Sequence, residues 1–158
     1  MRLIRPYRVE ELPTVMHRAH ASAFDQLVER ERGHAQPDGV ARQLREMYRM
    51  VLATPGATLL VAEGAGLPEP GPAGHALLFP QANPFTGVGE MVVMDIWVHP
   101  AARGMGVGSA LVQEAERHTR AIGGRSLVAQ IALHNQASQA LFRRAGFQQE
   151  RVVTGKGW

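Results

Sequence analysis

The sequence predicts a mixed α/β fold in a single domain. Strand-like and helix-like segments alternate along its 158 residues, a length close to that of one ordinary domain with one core. The clearest unit lies in the second half, where an apolar strand, a glycine-rich turn, a helix and another strand follow one another. Apolar residues make up 45% and charged residues 20% of the chain, as in typical globular proteins. We therefore treat residues 1–158 as one domain.

The first half is predicted to contain three strands and two helices. Pro13 falls in the first turn of the first helix, where a missing backbone N–H costs little. Apolar residues recur at helical spacing from Val40 to Leu52, and Pro55 and Gly56 end that second helix. The predicted elements are a strand over Met1–Tyr7, a helix over about Glu10–Phe24, a polar segment over Asp25–Gly39, the second helix, and strands over Ala57–Glu63 and Gly74–Phe79.

The second half has sharper signals. Met91–Val98 is apolar apart from Asp95, and continuous apolarity indicates a strand that is covered on both faces. After the glycine-rich turn, an apolar stripe at helical spacing predicts a helix that ends at Ile122. The remaining predicted elements are a strand over Ser126–Leu133, a short helix over Gln136–Ala145 and a last strand that begins at Phe147.

Composition argues against several classes of protein. The chain has no Cys, which excludes disulfides, thiolate metal sites and a cysteine nucleophile. No segment approaches the ~20 continuous apolar residues of a membrane span, and no apolar signal core follows Arg2 and Arg5. We therefore expect a cytoplasmic protein. His17 and His20 belong to no recognised metal-binding pattern, so no metal is expected. The net charge of +3 comes from scattered arginines, which does not predict a nucleic-acid partner.

The glycine-rich turn is the main candidate for a ligand site. The chain passes from the apolar strand through the segment Arg103-Gly104-Met105-Gly106-Val107-Gly108-Ser109 into a helix. Glycines let backbone amides approach a ligand closely, and free N–H groups at a helix N-terminus favour phosphate. The spacing fits neither a dinucleotide fingerprint, which needs G-x-G-x-x-G, nor a P-loop, which needs Gly-Lys-Ser/Thr.

Two ordered motifs carry a resemblance to a known family. The first is R-x-x-G-x-G, formed by Arg103, Gly106 and Gly108 after a strand that ends in Val-x-Pro. The second, about 30 residues downstream, consists of Asn135, Ser138, Leu141, Phe142 and Ala145-Gly146-Phe147. Together they resemble the acyl-CoA-binding motifs of the GCN5-related N-acetyltransferase (GNAT) family. The order of elements from Met1 onward agrees with that family.

The resemblance implies a fold and a cofactor site. The expected fold is a mixed, mostly antiparallel central sheet with a V-shaped split between two central parallel strands, flanked by about four helices. Acetyl-CoA is the implied cofactor. Its pantetheine arm would pair with the backbone of Ile96, Trp97 and Val98, where an N–H would also stabilise the thioester oxygen. The pyrophosphate would bind to Gly104, Met105, Gly106, Val107, Gly108 and Ser109, with Arg103 at the rim.

Two downstream residues are implied to contact the cofactor arm. Asn135 would bond the pantetheine near the sulfur, although it also stands where a helix N-cap would. Phe142 replaces the tyrosine that the family often uses to protonate the departing thiolate, so its ring can pack but cannot donate a proton. Three explanations stay open: water supplies the proton, the thiolate leaves unprotonated, or a hydroxyl such as that of Tyr48 or Ser138 takes part.

The attacking amine must be neutral, so a proton acceptor is expected. Asp95 is the first candidate because it is a single acid within an apolar strand, and a buried carboxylate needs a partner or a role. A structural hydrogen bond or ion pair is the equally weighted alternative. The family often places a glutamate just before this aspartate, but Met94 stands there in this chain. Glu90 is the second candidate.

The predicted activity is transfer of acetyl from acetyl-CoA to a primary amine, with the acceptor unidentified and either a small molecule or a peptide. A non-catalytic acyl-CoA-binding or sensing module is the alternative, because Phe142 and Met94 depart from the family pattern. The family usually has another strand after Phe147, whereas only residues 148–158 remain here. A homodimer in which a partner completes this sheet edge is therefore also predicted.

Overall fold

A computed structural model describes residues 3–64 and 66–158, so that the predictions for Met1, Arg2 and Ala65 lie outside the described residues. One five-stranded sheet runs through the molecule, with the strands in chain order. The strands are β1 (Ile4–Pro6), β2 (Thr58–Ala62), β3 (Gly74–Ala82), β4 (Gly89–Val98) and β5 (Ser126–Ala129). The helices are α1 (Leu12–Gln26), α2 (Glu29–Arg32), α3 (Pro37–Leu52), α4 (Val107–Ala121) and α5 (Gln136–Arg144).

The sheet is mixed and mostly antiparallel, which confirms the predicted fold class. Strands β1 to β4 pair antiparallel, and β5 pairs parallel to β4 after the α4 crossover. The parallel pairing extends only from Glu90 opposite Ser126 to Val93 opposite Ala129, and β4 continues beyond it to Val98. The two parallel strands therefore separate at the carboxyl end of β4.

A β-bulge lies where β5 ends. Leu78 is opposite Val93 and Leu77 is opposite Asp95, so Met94 is an extra residue on β4. An extra residue reverses the alternation of side chains along the rest of a strand. Val93 accordingly packs on the α4 face of the sheet, whereas Asp95, two positions later, contacts Tyr48 of α3 on the other face.

Two apolar layers cover the sheet. On one face, side chains of β2, β3 and β4 pack against α4 and α5 in a core that includes Leu111 and Phe142. On the other face, Leu59, Val61 and Leu77 pack against Val15 of α1 and the side chains of α3. Burial on both faces explains why the strand sequences are almost continuously apolar. Within the described residues, no helix combines the length and apolarity that crossing a membrane requires.

The structure corrects two strand predictions. The strand predicted over Ser126–Leu133 ends at Ala129, where its pairing with β4 stops. The polar segment Asp25–Gly39 also contains the one-turn helix α2, whose first turn is stabilised by Glu31 accepting a hydrogen bond from the Val28 N–H at 3.1 Å. The strand predicted from Phe147 onward is absent: residues 147–158 join no ladder. Val152 and Val153 are 82% and 84% exposed, so nothing holds this segment as a strand. In the described part of the chain, β5 is consequently an edge strand.

Candidate functional site

The glycine loop forms an open, backbone-lined turn at the N-terminus of α4. Gly104 and Gly106 have φ values of 75° and 80°, which favour glycine, and a Cβ on either would meet no atom within 4 Å. Gly106 is the N-cap of α4, so the N–H groups of the following first turn have no partner within the helix. An exposed loop followed by free amides is a site that can bind a phosphate anion.

The residues of this loop divide between ligand access and packing. Val107, the first residue of α4, is buried in the core. A Cβ on Gly108 would lie 3.1 Å from the side chain of Leu141. Gly108 thus allows α5 to pack closely on α4. Met105 is exposed, and Ser109 is half-buried. The predicted pyrophosphate contacts of these residues would therefore be made through backbone N–H groups.

The carboxyl end of β4 presents a free backbone edge. The His99 N–H donates to the Ala73 carbonyl at 2.8 Å, and Val98 lies opposite Gly74. Hydrogen-bonded and non-hydrogen-bonded pairs alternate along an antiparallel ladder, so Val98 and Ile96 direct their polar backbone groups away from β3. They face the side of β4 where β5 has already ended, which is where an extended ligand could pair.

The contacts of Trp97 and Arg103 show which backbone groups at the end of β4 face the split. Trp97 lies opposite His75, and the same alternation directs its backbone toward β3 rather than toward the split. Arg103 donates from Nε to the Val98 carbonyl at 3.2 Å. The glycine loop is thereby connected to the free edge. Of the three β4 residues predicted to pair with a cofactor arm, Ile96 and Val98 have the suitable direction.

An open cleft of about 830 Å³ begins at this connection. Trp97 and Arg103 line one side, and α1 forms the opposite wall with side chains that include His17, Arg18 and Asp25. Arg18 donates to the carbonyls of the segment before β3 and stacks over the Trp97 ring at 5.1 Å. The cleft is therefore bounded by the loop that suits phosphate and by the helix that covers the carboxyl end of β4.

A buried polar cluster lies at the bulge. Asp95 Oδ2 accepts a hydrogen bond from the Tyr48 hydroxyl at 2.6 Å and lies 2.9 Å from His75 Nε2. Tyr48 and His75 are each 1% exposed, and Asp95 is partly buried. The His75 ring stacks on Trp97 with ring centroids 5.8 Å apart, and its Nδ1 is buried without a hydrogen-bond partner. We refer to Tyr48, His75 and Asp95 as the bulge cluster.

The bulge cluster favours an ionised Asp95. Burial alone would raise the pKa of this carboxyl, but the hydrogen bond and charge of His75 and the bonds from Tyr48 and the Ile96 N–H outweigh it and hold the pKa below its usual range. Burial, followed by the Asp95 charge, raises the pKa of Tyr48 well above its usual value. Tyr48 therefore stays protonated and donates. The structural hydrogen bonds expected as one alternative for Asp95 are present, and whether it also acts as a base stays a prediction.

Glu90 is far from the bulge cluster. It lies at the start of β4, about 16 Å from Asp95 by the rise of an extended strand. Gln81 and Asn83 donate to its two oxygens at 2.7 and 3.3 Å. It lines a separate cavity of about 120 Å³ near the end of α4. The structure thus does not bring the two candidate bases together.

Asn135 and Phe142 have clear structural roles. Asn135 Oδ1 accepts from the Ser138 N–H at 3.1 Å as the N-cap of α5, and its Nδ2 donates to Gln26 of α1 at 2.7 Å. Phe142 is 3% exposed and packs edge to face on Phe147, with ring centroids 4.9 Å apart. Contact of either residue with a cofactor stays a prediction.

His75 is the site residue that sequence reasoning missed. Its segment was recognised as an apolar strand, but the histidine within it received no role. The available signal was the one that singled out Asp95, namely a lone titratable residue in an apolar strand. Pairing the two strands in register would have brought the two residues together. Among the described residues, no group of three or more His, Asp or Glu side chains could hold a metal ion.

Comparison with known sequences gives one family. Residues 21–147 match the family described as the acetyltransferase (GNAT) family. A curated relative from Bacillus subtilis, the "Putative phosphinothricin acetyltransferase", is 46% identical over 62 residues. That alignment spans 39% of this chain and 38% of the relative, so well under half of the relative's length is matched.

Comparison with solved structures gives the same fold. The "Putative acetyl transferase from Pyrococcus furiosus" superposes with a TM-score of 0.81 at 18% identity, with all of both chains covered. A structure of AAC(6')-Iy in complex with the bisubstrate analogue CoA-S-monomethyl-acetylneamine superposes with a TM-score of 0.66 at 18% identity. The match covers 100% of this chain and 99% of that structure.

Proposed function

The chain belongs to the acetyltransferase (GNAT) family, and we propose that it is an acetyl-CoA-dependent N-acetyltransferase that acetylates a primary amine by direct attack. The observation that carries the proposal is the junction of the glycine loop with the free edge of β4. Arg103 joins the two through the Val98 carbonyl. A ligand with a phosphate at one end and an amide-containing arm could engage both features at once.

The residues fit acetyl-CoA. The open turn at Gly104 and Gly106 would admit a pyrophosphate, because a Cβ there would meet nothing within 4 Å. Of the residues Ile96, Trp97 and Val98 that the resemblance implies, Ile96 and Val98 would pair with the amides of the arm. One structure of the same fold contains a CoA-based bisubstrate analogue. When bound, acetyl-CoA supplies an activated acetyl thioester.

The chemistry requires one bond to form, one to break and one proton to leave. The amine nitrogen bonds to the acetyl carbon, the carbon–sulfur bond breaks, and its electron pair goes to sulfur. The Val98 backbone N–H, which is directed away from β3, would donate to the thioester oxygen as negative charge develops there. Asp95 is the first candidate to accept the proton from nitrogen, and Glu90 is the second.

Phe142 cannot protonate the departing sulfur, because its ring is buried and has no hydrogen-bond donor. The hydroxyl of Tyr48 is already directed at Asp95, which removes it from the alternatives for this step. Water, the Ser138 hydroxyl and departure as free thiolate stay open. General acid help is typically worth ~10²–10⁴-fold, so its absence still permits turnover.

The acceptor is proposed to be a small-molecule primary amine. The partial relative is named as a putative phosphinothricin acetyltransferase, and AAC(6')-Iy was solved with a bisubstrate analogue that contains an acetylneamine group. These names support a small amine-bearing molecule as the acceptor. The cleft beside α1 has room for such an acceptor next to the carboxyl end of β4. A peptide amine is the competing acceptor, and the activity panel described below includes it.

The decisive experiment measures thiol release from acetyl-CoA with a panel of small amines, amino acids and peptides, beside calorimetric binding of acetyl-CoA. Release that depends on one acceptor class would support the enzyme and identify that class. Binding without release for any acceptor would favour the non-catalytic acyl-CoA-binding module. No binding would refute the cofactor.

A matched pair of glycine variants tests the cofactor site. Gly106→Val should weaken acetyl-CoA binding at least tenfold, because a side chain in the open turn blocks close approach of phosphate. Gly87→Val is the control: Gly87 also has positive φ, 69°, and open space at Cβ, but lies in the turn between β3 and β4. Equal affinity of the two variants would contradict the proposed phosphate site.

We also propose a homodimer and a cytoplasmic location. In the described residues β5 pairs with β4 alone, so its outer edge is available to a second copy. Sedimentation equilibrium would test the dimer, and a concentration-independent monomer would rule it out. Fractionation of cells would test the location.

A further inference from the structure

Of the three side chains in the bulge cluster, Asp95 is the one that is accessible from outside. Both donors, Tyr48 and His75, approach the same carboxylate oxygen, Oδ2 of Asp95. The Tyr48 and His75 side chains are 1% exposed, whereas the Asp95 side chain is 18% exposed. A group from outside the cluster can therefore reach Asp95 but neither donor. Oδ2 takes both side-chain donors and the Ile96 N–H also bonds the carboxylate, so Oδ1 is the oxygen without a side-chain donor and is the one we assign to such a group.

The bulge places that oxygen beside the proposed reaction site. Met94 is the extra residue that turns Asp95 onto the α1 and α3 face, and Ile96 follows at the free edge of β4. The Ile96 N–H lies beside the Asp95 carboxylate. An acetyl group placed along this edge would thus be next to Asp95, on the side of the sheet that α1 and the cleft cover.

We propose that Tyr48 and His75 are positioning residues of the transfer reaction, which hold Asp95 through Oδ2 so that Oδ1 receives the proton of the attacking amine. This inference rests on the proposed function. In the reaction, nitrogen bonds to the acetyl carbon and becomes strongly acidic, so its proton passes to Oδ1 even though the carboxylate is a weak base. The proton then leaves Oδ1 for solvent and restores the carboxylate.

Few other charged groups act on this carboxylate. Tyr48 faces it from α3 and His75 from β3. Arg18 of α1 stacks over Trp97 and donates to the carbonyls of Pro70 and Pro72 rather than to this carboxylate. β5 contributes no titratable residue over Ser126–Ala129. Loss of Tyr48 or His75 as a donor should therefore be visible directly in the titration of Asp95.

The test compares the two tyrosines of the chain. Tyr48→Phe removes one donor from Asp95 and little volume. Tyr7→Phe alters a half-buried tyrosine that packs against the same apolar layer of α1 and α3 but lies outside the cluster. Two readouts are needed: the pH dependence of kcat/KM, and the pH titration of the Asp95 carboxyl carbon by 13C NMR without cofactor. We expect both midpoints to rise by about one pH unit in Tyr48→Phe only.

Two substitutions of His75 test whether its hydrogen-bond donor is what matters. His75→Gln can keep a donor near the position of Nε2, whereas His75→Leu cannot. We expect His75→Leu to shift both midpoints upward and His75→Gln to restore them at least in part. Acetyl-CoA affinity should stay within twofold in every variant, because none of these side chains reaches the glycine loop.

The outcomes separate the two proposals. If the wild-type protein releases no thiol with any amine, the proposed function fails and this inference fails with it. If the wild type is active and the carboxyl titration of Tyr48→Phe shifts while its kcat/KM profile does not, the cluster is only structural and the inference is overturned. Unchanged titration in both Tyr48→Phe and His75→Leu would also overturn it.

Discussion

The two halves of β4 are both mainly apolar in sequence, but they differ in strand pairing and in the face of the sheet to which their side chains point. From Glu90 to Val93 the strand is paired on both edges, with β3 and with β5, and its buried side chains belong to the α4 core. From Met94 to Val98 it is paired with β3 only, and it carries Asp95 on the other face. Both halves are mainly apolar, yet the first is structural and the second forms the candidate site.

One residue separates the halves. The Met94 bulge coincides with the end of β5, so the place where the sheet opens is also where the side chains change face. A single irregularity therefore creates both a free backbone edge and a polar cluster beside it. Disturbing one half while sparing the other tests this division directly.

Deletion of Met94 should have the largest effect. Without the extra residue, Asp95 and its successors must either change face or slip along β3, and both leave a carboxylate without its donors among apolar side chains. We expect a loss of at least ~4 kcal/mol in the free energy of unfolding, or no folded protein. Denaturant unfolding measures it. Deletion of Gly66, in the exposed link before β3, is the control and should cost little; a similar loss in both would mean that the bulge is not special.

The two candidate proton acceptors, Asp95 and Glu90, lie in opposite halves of β4, and their substitution should give the next largest difference in activity. Asp95→Asn should lower kcat by ~10²–10⁴-fold if Asp95 takes the amine proton, and it should abolish the acidic limb that this carboxyl causes. Because the pKa of Asp95 is held low, that limb lies in the acid range, with activity lost as pH falls through the folded pKa. Glu90→Gln should change kcat less than tenfold. A reversed order of the two variants would move the base to Glu90.

Substitution of two methionines, one in each half of β4, should give the smallest of these differences, measured as a change in the free energy of unfolding. Met91 is 1% exposed in the doubly paired half, and Met94 is 36% exposed at the bulge. Met91→Ala should lower the free energy of unfolding by about 2–4 kcal/mol through lost burial and a residual cavity. Met94→Ala should change it by less than about 1 kcal/mol, because the bulge is a property of the backbone. Equal losses in urea unfolding would show that the two halves are packed alike.

Local signals were sufficient for much of the fold. The helix predicted to end at Ile122 runs from Val107 to Ala121, because an apolar stripe and flanking glycines mark it within the sequence itself. The open glycine turn likewise depends on residues 103–109 alone. The family resemblance supplied the mostly antiparallel sheet with a split between two parallel strands, which the local pattern does not contain.

The remaining features depend on pairing between distant segments. The bulge is defined only by how β3 and β4 align, and His75 and Asp95 are 20 positions apart in the chain. Neither has a local signature. The strand predicted from Phe147 was wrong for a related reason: Val152 and Val153 stay exposed although the outer edge of β5 is open, so an apolar pair alone does not specify pairing with a distant edge.

The late crossover to β5 has a kinetic consequence. β2, β3 and β4 follow each other closely in the chain, whereas β5 is separated from β4 by the glycine loop and α4. Parallel pairing of separated segments is slow, so we expect the split between β4 and β5 to be completed late in folding. A ligand held in that split would then bind after the rate-limiting step. It would prolong the lifetime of the native state and leave the refolding rate nearly unchanged.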